Sequence, residues 1–250
     1  MTIVAVVVVL ALILTGVLPI LTSTPGGPAP GPESYSTAAG PANALAGSVA
    51  GGPWTLSVAE GWDLTTPYTT SLGSGCTVTG GSDSYSMPAF TGNYSNGELS
   101  TWGFVYLNAA TTSELAIAVQ NGVATEVGVA TAGGNCRFSP LTLGALGGGV
   151  MDSSRVAALV DATPAVTTYL HNHTVSNASF GVAVVAGGTG PVWVVDYTMC
   201  NPINFTAAEP PTGARVVAEL NATTGASISV VSQPSTSSCN GSGPGGSKTP

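Results

Sequence analysis

Residues 114–130 read ELAIAVQ, then Asn121-Gly122, then VATEVGVA, with apolar side chains recurring at every second position on both sides of the dipeptide. Asn-Gly is the preferred centre of a two-residue hairpin turn, because both central residues must take positive φ. The pairing puts Leu115, Ile117 and Val119 on one face, and Ala116, Ala118 and Gln120 on the other. Period-two runs recur at residues 54–59, 101–108, 179–186, 192–199, 214–220 and 226–232. Gly147, Gly148 and Gly149 break the pattern. Asp152-Ser153-Ser154 then offers the N-cap of a helix over residues 153–170, where Pro164 predicts a kink or two shorter helices. The expected class is α+β: a strand-rich antiparallel body with one or two helices packed on it, preceded by an N-terminal transmembrane helix.

That membrane helix is read from residues 3–22, an uncharged apolar run long enough to span a bilayer. A small-x-small cleavage site does not follow it, so a retained signal anchor is favoured over a cleaved signal peptide. Only 6% of the residues are Asp, Glu, Lys or Arg, against roughly 25% in an average soluble domain. The net charge is −8, and the cations Arg137, Arg155, Arg215 and Lys248 are scattered, which argues against a nucleic-acid partner. With so few titrating groups, stability is expected to vary little with pH. Asn93, Asn172, Asn177, Asn204, Asn221 and Asn240 each open an N-x-S/T glycan acceptor, more than the Ser and Thr content gives by chance. Cys76, Cys136, Cys200 and Cys239 lack the spacing of a zinc site and fit disulfides in an oxidising space. Both signals place the bulk of the chain outside the cell membrane, held by a single pass.

The organisation expected is an anchor at 1–22, a Pro/Gly/Ala-rich stalk at 23–52 with a short helix interrupted at Gly40-Pro41, and a β-rich first half at 53–145. A helix with antiparallel strands at 146–233 and a disordered tail at 234–250 complete it. Each half holds a helix candidate and a Gly-Pro-Trp or Gly-Pro-Val-Trp strand, at Trp54 and Trp193, followed by a hairpin; duplication and two small units side by side both account for this. Bridges Cys76 to Cys136 and Cys200 to Cys239, one per half, are favoured among three possible connectivities.

The segment at about 150–232 closes on ARVVAELNATTGASISV and resembles the PepSY-type module, whose final hairpin carries an Asp-Ala-x-Thr-Gly turn. Here the turn is Asn221-Ala222-Thr223-Thr224-Gly225, with Asn in place of Asp. The resemblance implies a mainly non-catalytic role in protease inhibition or cell-surface regulation. The whole chain is also similar to membrane-anchored surface proteins of the archaeal type, which implies placement rather than activity.

Catalytic signatures are sparse. His171 and His173 lie two apart at an expected helix end, where an exposed turn is favoured over a weak metal site with Asp161 or Asp152. No G-x-S-x-G or H-E-x-x-H occurs. Glu60 with Asp63, or Asp196 with Glu219, are the carboxylate pairs available for glycosidic chemistry, weighed against acids facing solvent at strand edges. Trp54, Trp62, Tyr68, Trp102, Tyr106 and Trp193 are read first as core and second as a recognition face. The expectation is a membrane-anchored extracellular structural or binding module that is not an enzyme and carries no cofactor or metal. Its partners are the bilayer through the N-terminal helix and a surface protein or glycan. The alternatives are a secreted hydrolase or protease-inhibitor-like regulator, and a pilin-like filament subunit, although a basic prepilin leader is missing and Pro19 interrupts the assembly helix.

Overall fold

The structure, a computed structural model, describes residues 31–64, 68–71, 78–79, 84–87, 94–130, 143–173, 175, 177–185, 190–198 and 214–233. The expected anchor, the four cysteines, Asn93, Asn204, Asn240 and the tail at 234–250 lie outside the described residues. Among the described residues, no helix is long and apolar enough to cross a membrane.

Helix α1 (Tyr35–Ala46) precedes β1 (Thr55–Leu64). Short strands β2 (Tyr68–Ser71), β3 (Val78–Thr79) and β4 (Ser84–Met87) lead to β5 (Thr101–Asn108), β6 (Ser113–Gln120) and β7 (Val123–Ala130). The second half runs β8 (Leu143–Gly144), α2 (Ser153–Asp161), α3 (Pro164–Asn172), β9 (Asn177–Val185), β10 (Val192–Thr198), β11 (Arg215–Asn221) and β12 (Ser227–Gln233). One mainly antiparallel sheet takes the order β12-β11-β10-β9-β1-β5-β6-β7-β3, with β8 beside β9. The α+β class and the strand-rich antiparallel body are therefore as expected, with three helices on the sheet where one or two were foreseen. Pro164 does divide the predicted helix, standing at the first position of α3, where its missing N–H has no helical partner to lose.

The Asn-Gly hairpin forms as read: Asn121 and Gly122 have φ of 56° and 72°, and Gln120 faces Val123. Because β1 pairs with β5 on one side and β9 on the other, segments 53–145 and 146–233 contribute to a single sheet. The halves repeat in topology, each a helical segment followed by a four-strand meander, β1-β5-β6-β7 and β9-β10-β11-β12. The Gly-Pro-Trp signal does not mark this repeat, since Trp54 leads into the first strand of its meander and Trp193 lies in the second strand of the other.

All three helices bury their apolar residues on one face of the sheet. Ala38, Ala39, Ala42 and Ala46 let α1 close onto β5, β6 and β7, so residues 35–46 of the expected stalk belong to the core. The helix runs through Pro41 without a break. Burial of its alanine stripe outweighs one lost backbone hydrogen bond. Tyr35, Trp102 and Trp193 meet edge to face, with ring centroids 5.5–6.4 Å apart. Their polar tips reach chain segments beside the sheet: Trp102 Nε1 donates to Glu33 O at 2.8 Å, Trp193 Nε1 to Met151 O at 3.0 Å, and Tyr106 Oη to Asn43 Oδ1 at 2.9 Å. Each buried ring thereby contributes apolar area and a satisfied donor.

Asp152 holds the cap position of α2, yet its side chain makes no cap bond to that helix. Its Oδ1 instead accepts the Ser36 N–H at 2.7 Å, and Ser153 Oγ accepts the Tyr35 N–H at 2.8 Å. Two residues of one half thus satisfy the first-turn amides of the helix in the other. Burial pushes the Asp152 carboxyl up, but hydrogen bonds from Ser154 and Ser36 outweigh it and hold the group below its ordinary range. A lowered folded-state pKa stabilises above the unfolded value and is lost as pH falls through the folded one. Asp152→Ala should therefore cost about 1 kcal/mol at neutral pH, with the difference from the parent shrinking towards pH 2 in urea unfolding.

Candidate functional site

The helix-free face of the sheet collects charge in a chain that has little of it. Strand alternation puts Glu60 and Trp62 of β1, Asp196 of β10, and Arg215 and Glu219 of β11 on this face. Glu60 stands opposite Gly103 on β5 and Gly181 on β9, so no side chain flanks it on either neighbouring strand. The next row carries Trp62 opposite Ser179, and Ser179 opposite Asp196. Gly103 is required by this arrangement, because a Cβ there would lie 2.8 Å from Cη2 of the Trp62 ring.

The hydrogen bonds leave these acids unequally served. Trp62 Nε1 donates to Glu60 Oε1 at 3.1 Å, while Glu60 Oε2 is buried without a partner on a residue 1% exposed. Ser229 Oγ donates to Glu219 Oε2 at 2.8 Å, and Oε1 has no partner. The Arg215 guanidinium pairs with Asp196 through Nη2, Thr198 Oγ1 donates to Asp196 Oδ1 at 3.1 Å, and Arg215 Nε is unpartnered. Burial raises the Glu60 carboxyl well above its usual value, against the Trp62 bond and with help from the nearby Asp196 charge. Burial likewise lifts Asp196, outweighing the pull of Arg215. A buried carboxyl with no donor takes up a proton rather than remain charged.

A second acidic cluster lies on the helix-covered face. Asp63 Oδ1 accepts the Ser100 N–H at 2.9 Å, and its Oδ2 is buried without a partner. Tyr197 Oη donates to Asp161 Oδ1 at 3.0 Å at the end of α2, and the Tyr94 ring lies 5.5 Å from that of Tyr197. Burial drives Asp63 to about 6, with the Ser100 bonds opposing it.

Of the carboxylate pairs read from sequence, Glu60 and Asp63 are split between opposite faces, an unavoidable result of i, i+3 spacing on a strand. Asp196 and Glu219 do share a face, on adjacent strands. Asp196 is not a solvent-facing edge acid: its strand lies inside the sheet, and its side chain is 20% exposed beside Arg215. The sequence reading did not place Glu60 on their face; the β9-to-β1 pairing puts it there, in one row with Gly181, Val194 and Glu219 and three strands from Glu219. His173 stacks on Tyr169 with centroids 4.4 Å apart and its Nδ1 3.0 Å from Tyr169 O, at the end of α3, while His171 is exposed. Asp152 and Asp161 are committed to α1 and Tyr197. Among the described residues, no group of three His, Cys, Asp or Glu side chains is arranged to hold a metal ion.

Trp102, Tyr106 and Trp193 are core residues, Trp62 is buried over Gly103, and Trp54 is half-buried with Nε1 donating to Val49 O at 3.1 Å. The Tyr68 side chain lies outside the described residues. Three glycan acceptors are described. Asn172 is exposed at the end of α3, Asn177 opens β9 with Oδ1 buried, and Asn221 Oδ1 accepts the Thr223 and Thr224 N–H groups in the β11–β12 turn. No protein-family model, curated protein or solved structure matches the chain.

The raised acids revise the expectation of pH-flat stability. A group whose folded pKa exceeds its unfolded value stabilises fully below the latter and loses that contribution as pH rises through the folded value. For Asp63 the window runs from 3.8 to about 6, worth roughly 3 kcal/mol. Thermal midpoints should thus rise as pH is lowered from 7.5 to 4.5. Asp63→Asn, which keeps an acceptor for Ser100, should raise the midpoint at pH 7.5 and leave it nearly unchanged at pH 4.

Proposed function

We propose that the chain is a membrane-anchored surface protein whose extracellular body is a binding module, with the helix-free sheet face as its ligand surface. The anchor, the outward placement, the disulfides and the glycans rest on the sequence: the apolar run at 3–22, the even cysteine set and the acceptor asparagines, of which Asn172 is exposed. The observation that carries the binding reading is structural. A chain with 6% charged residues places Glu60, Asp196, Arg215 and Glu219 on one sheet face and leaves polar atoms of three of them without partners. Unpaired buried polar groups cost free energy in the free protein. They recover it when a ligand supplies complementary groups.

The aromatics support a binding face built from polar groups rather than from an exposed aromatic patch, since the described rings are half-buried or buried. The hydrolase alternative would require Asp196 to leave Arg215 before it could act as an acid or base.

Placement is tested by intact mass of the native protein from membranes, with and without reduction and deglycosylation. The reading predicts the unprocessed chain, lighter by four hydrogens for two disulfides and heavier by glycans. A trimmed, unglycosylated chain with free thiols in the soluble fraction contradicts it.

A further inference from the structure

Resting on the reading of the body as an extracellular module that carries glycans, we infer that the β11–β12 turn is the attachment site its fold presents, with the Asn221 side-chain nitrogen as the atom that takes the sugar. Asn221, Ala222 and Thr223 form one N-x-T acceptor. The turn uses only half of the Asn221 carboxamide. Oδ1 accepts the N–H groups of Thr223 at 3.0 Å and Thr224 at 2.9 Å, while the backbone is fixed by Gly225 N–H to Asn221 O at 2.8 Å and Asn221 N–H to Ala226 O at 2.9 Å. Two N–H donors can face only the carbonyl oxygen, so Nδ2 is directed out of the turn. Asn221 is partly exposed, and Nδ2 is left to solvent. An Asp would hold this turn equally well; Asn adds the nitrogen. Thr223 is exposed, and the hydroxyl that the turn uses is that of Thr224, which accepts the Ala226 N–H at 3.3 Å. The Thr223 hydroxyl is therefore left for a transferase to read.

Asn177 carries the same signal in a place that closes it. It opens β9 opposite Leu64 on β1 and Thr198 on β10, its Oδ1 is buried, and Ser179, the hydroxyl residue of its acceptor, is 7% exposed. A transferase has to enclose carboxamide and hydroxyl together, and a strand paired on both sides cannot enter it without breaking two ladders. The chemistry at Asn221 is a group transfer from an oligosaccharide carried on a lipid phosphate. Nδ2 forms a bond to the anomeric carbon of the sugar. The bond from that carbon to the phosphate oxygen breaks with its electron pair staying on the phosphate, and one Nδ2 proton passes to a base of the transferase. Nothing is oxidised or reduced. The sugar is then carried by a turn at the margin of the sheet, where a bulky hydrophilic group meets water.

The test is glycopeptide mass spectrometry of the native full chain from membranes, compared with Asn221→Asp and Thr223→Val made in the same cells. Sugar on Asn221 and none on Asn177 is expected, with one glycan lost from the intact mass in each variant. Asn221→Asp keeps an acceptor for the Thr223 and Thr224 N–H groups. Thermal unfolding checks that it folds, and Thr223→Val, which changes only an exposed hydroxyl, carries the test if it does not. Glycans at other acceptors with Asn221 bare overturn this site and leave the glycosylated reading standing. Sugar on Asn177 overturns the claim that the folded sheet decides between the acceptors, and an unchanged mass in Asn221→Asp overturns the site directly. A chain bare at every acceptor overturns both the site and the glycosylated reading.

Discussion

An ionised carboxylate cannot remain in a protein interior without a donor or counter-charge, and this constraint organises the molecule. Strand β6 is buried along its whole length on both faces. The middle of the sheet therefore has no wetted side where its acids can be left at no cost, in contrast to the exposed positions of β7 and β12. One face is mainly apolar, with the alanine stripe of α1, the rings of Tyr35, Trp102 and Trp193, and acceptors for the Trp102, Trp193 and Tyr106 donors, and there Asp63 alone among the described strand acids keeps a buried oxygen without a partner. The other face gathers Glu60, Asp196, Glu219 and Arg215, and satisfies them only in part. Burial shifts Glu60 towards its protonated form, which lowers that cost.

The two halves depend on each other through the same economy of polar groups. Asp152 and Ser153 cap α1 from across the fold, and Ser153 Oγ also donates to Gly97 O at 2.6 Å. Gly97 has no room for a side chain, since a Cβ would lie 2.2 Å from Ser153 O, and its φ is +67°. The β9-to-β1 pairing joins the meanders into one sheet and brings Glu60 towards Asp196. The charged face is thus a product of the junction and belongs to neither half alone.

What was legible in the sequence was local. Asn121-Gly122 announces its hairpin because positive φ at both positions favours those residues, and Pro164 announces the end of α2 because it has no N–H to donate. Period-two runs locate most strands for the same short-range reason. Grouping was not legible. The acids Glu60, Asp196 and Glu219 lie far apart in the chain, and only strand order brings them together. Asp152 reads as the cap of its own helix, since nothing nearby in sequence reveals that Ser36 comes within reach. Residues 35–46 read as stalk with a short helix interrupted at Gly40-Pro41, because Gly and an internal Pro lower helix propensity, and only the sheet surface shows what the alanines are for.

The central claim is that burial, with Oε2 left without a donor, holds the Glu60 carboxyl well above its ordinary range on the helix-free face. Its most direct test is the carboxyl titration of Glu60 followed by carbon NMR, assigned by comparison with Glu60→Gln. The account predicts a carboxyl that titrates well above the ordinary glutamate range. Titration near the ordinary glutamate value of 4.5 would mean that water or another donor already serves Oε2, and the face would lose its claim as a site awaiting a ligand.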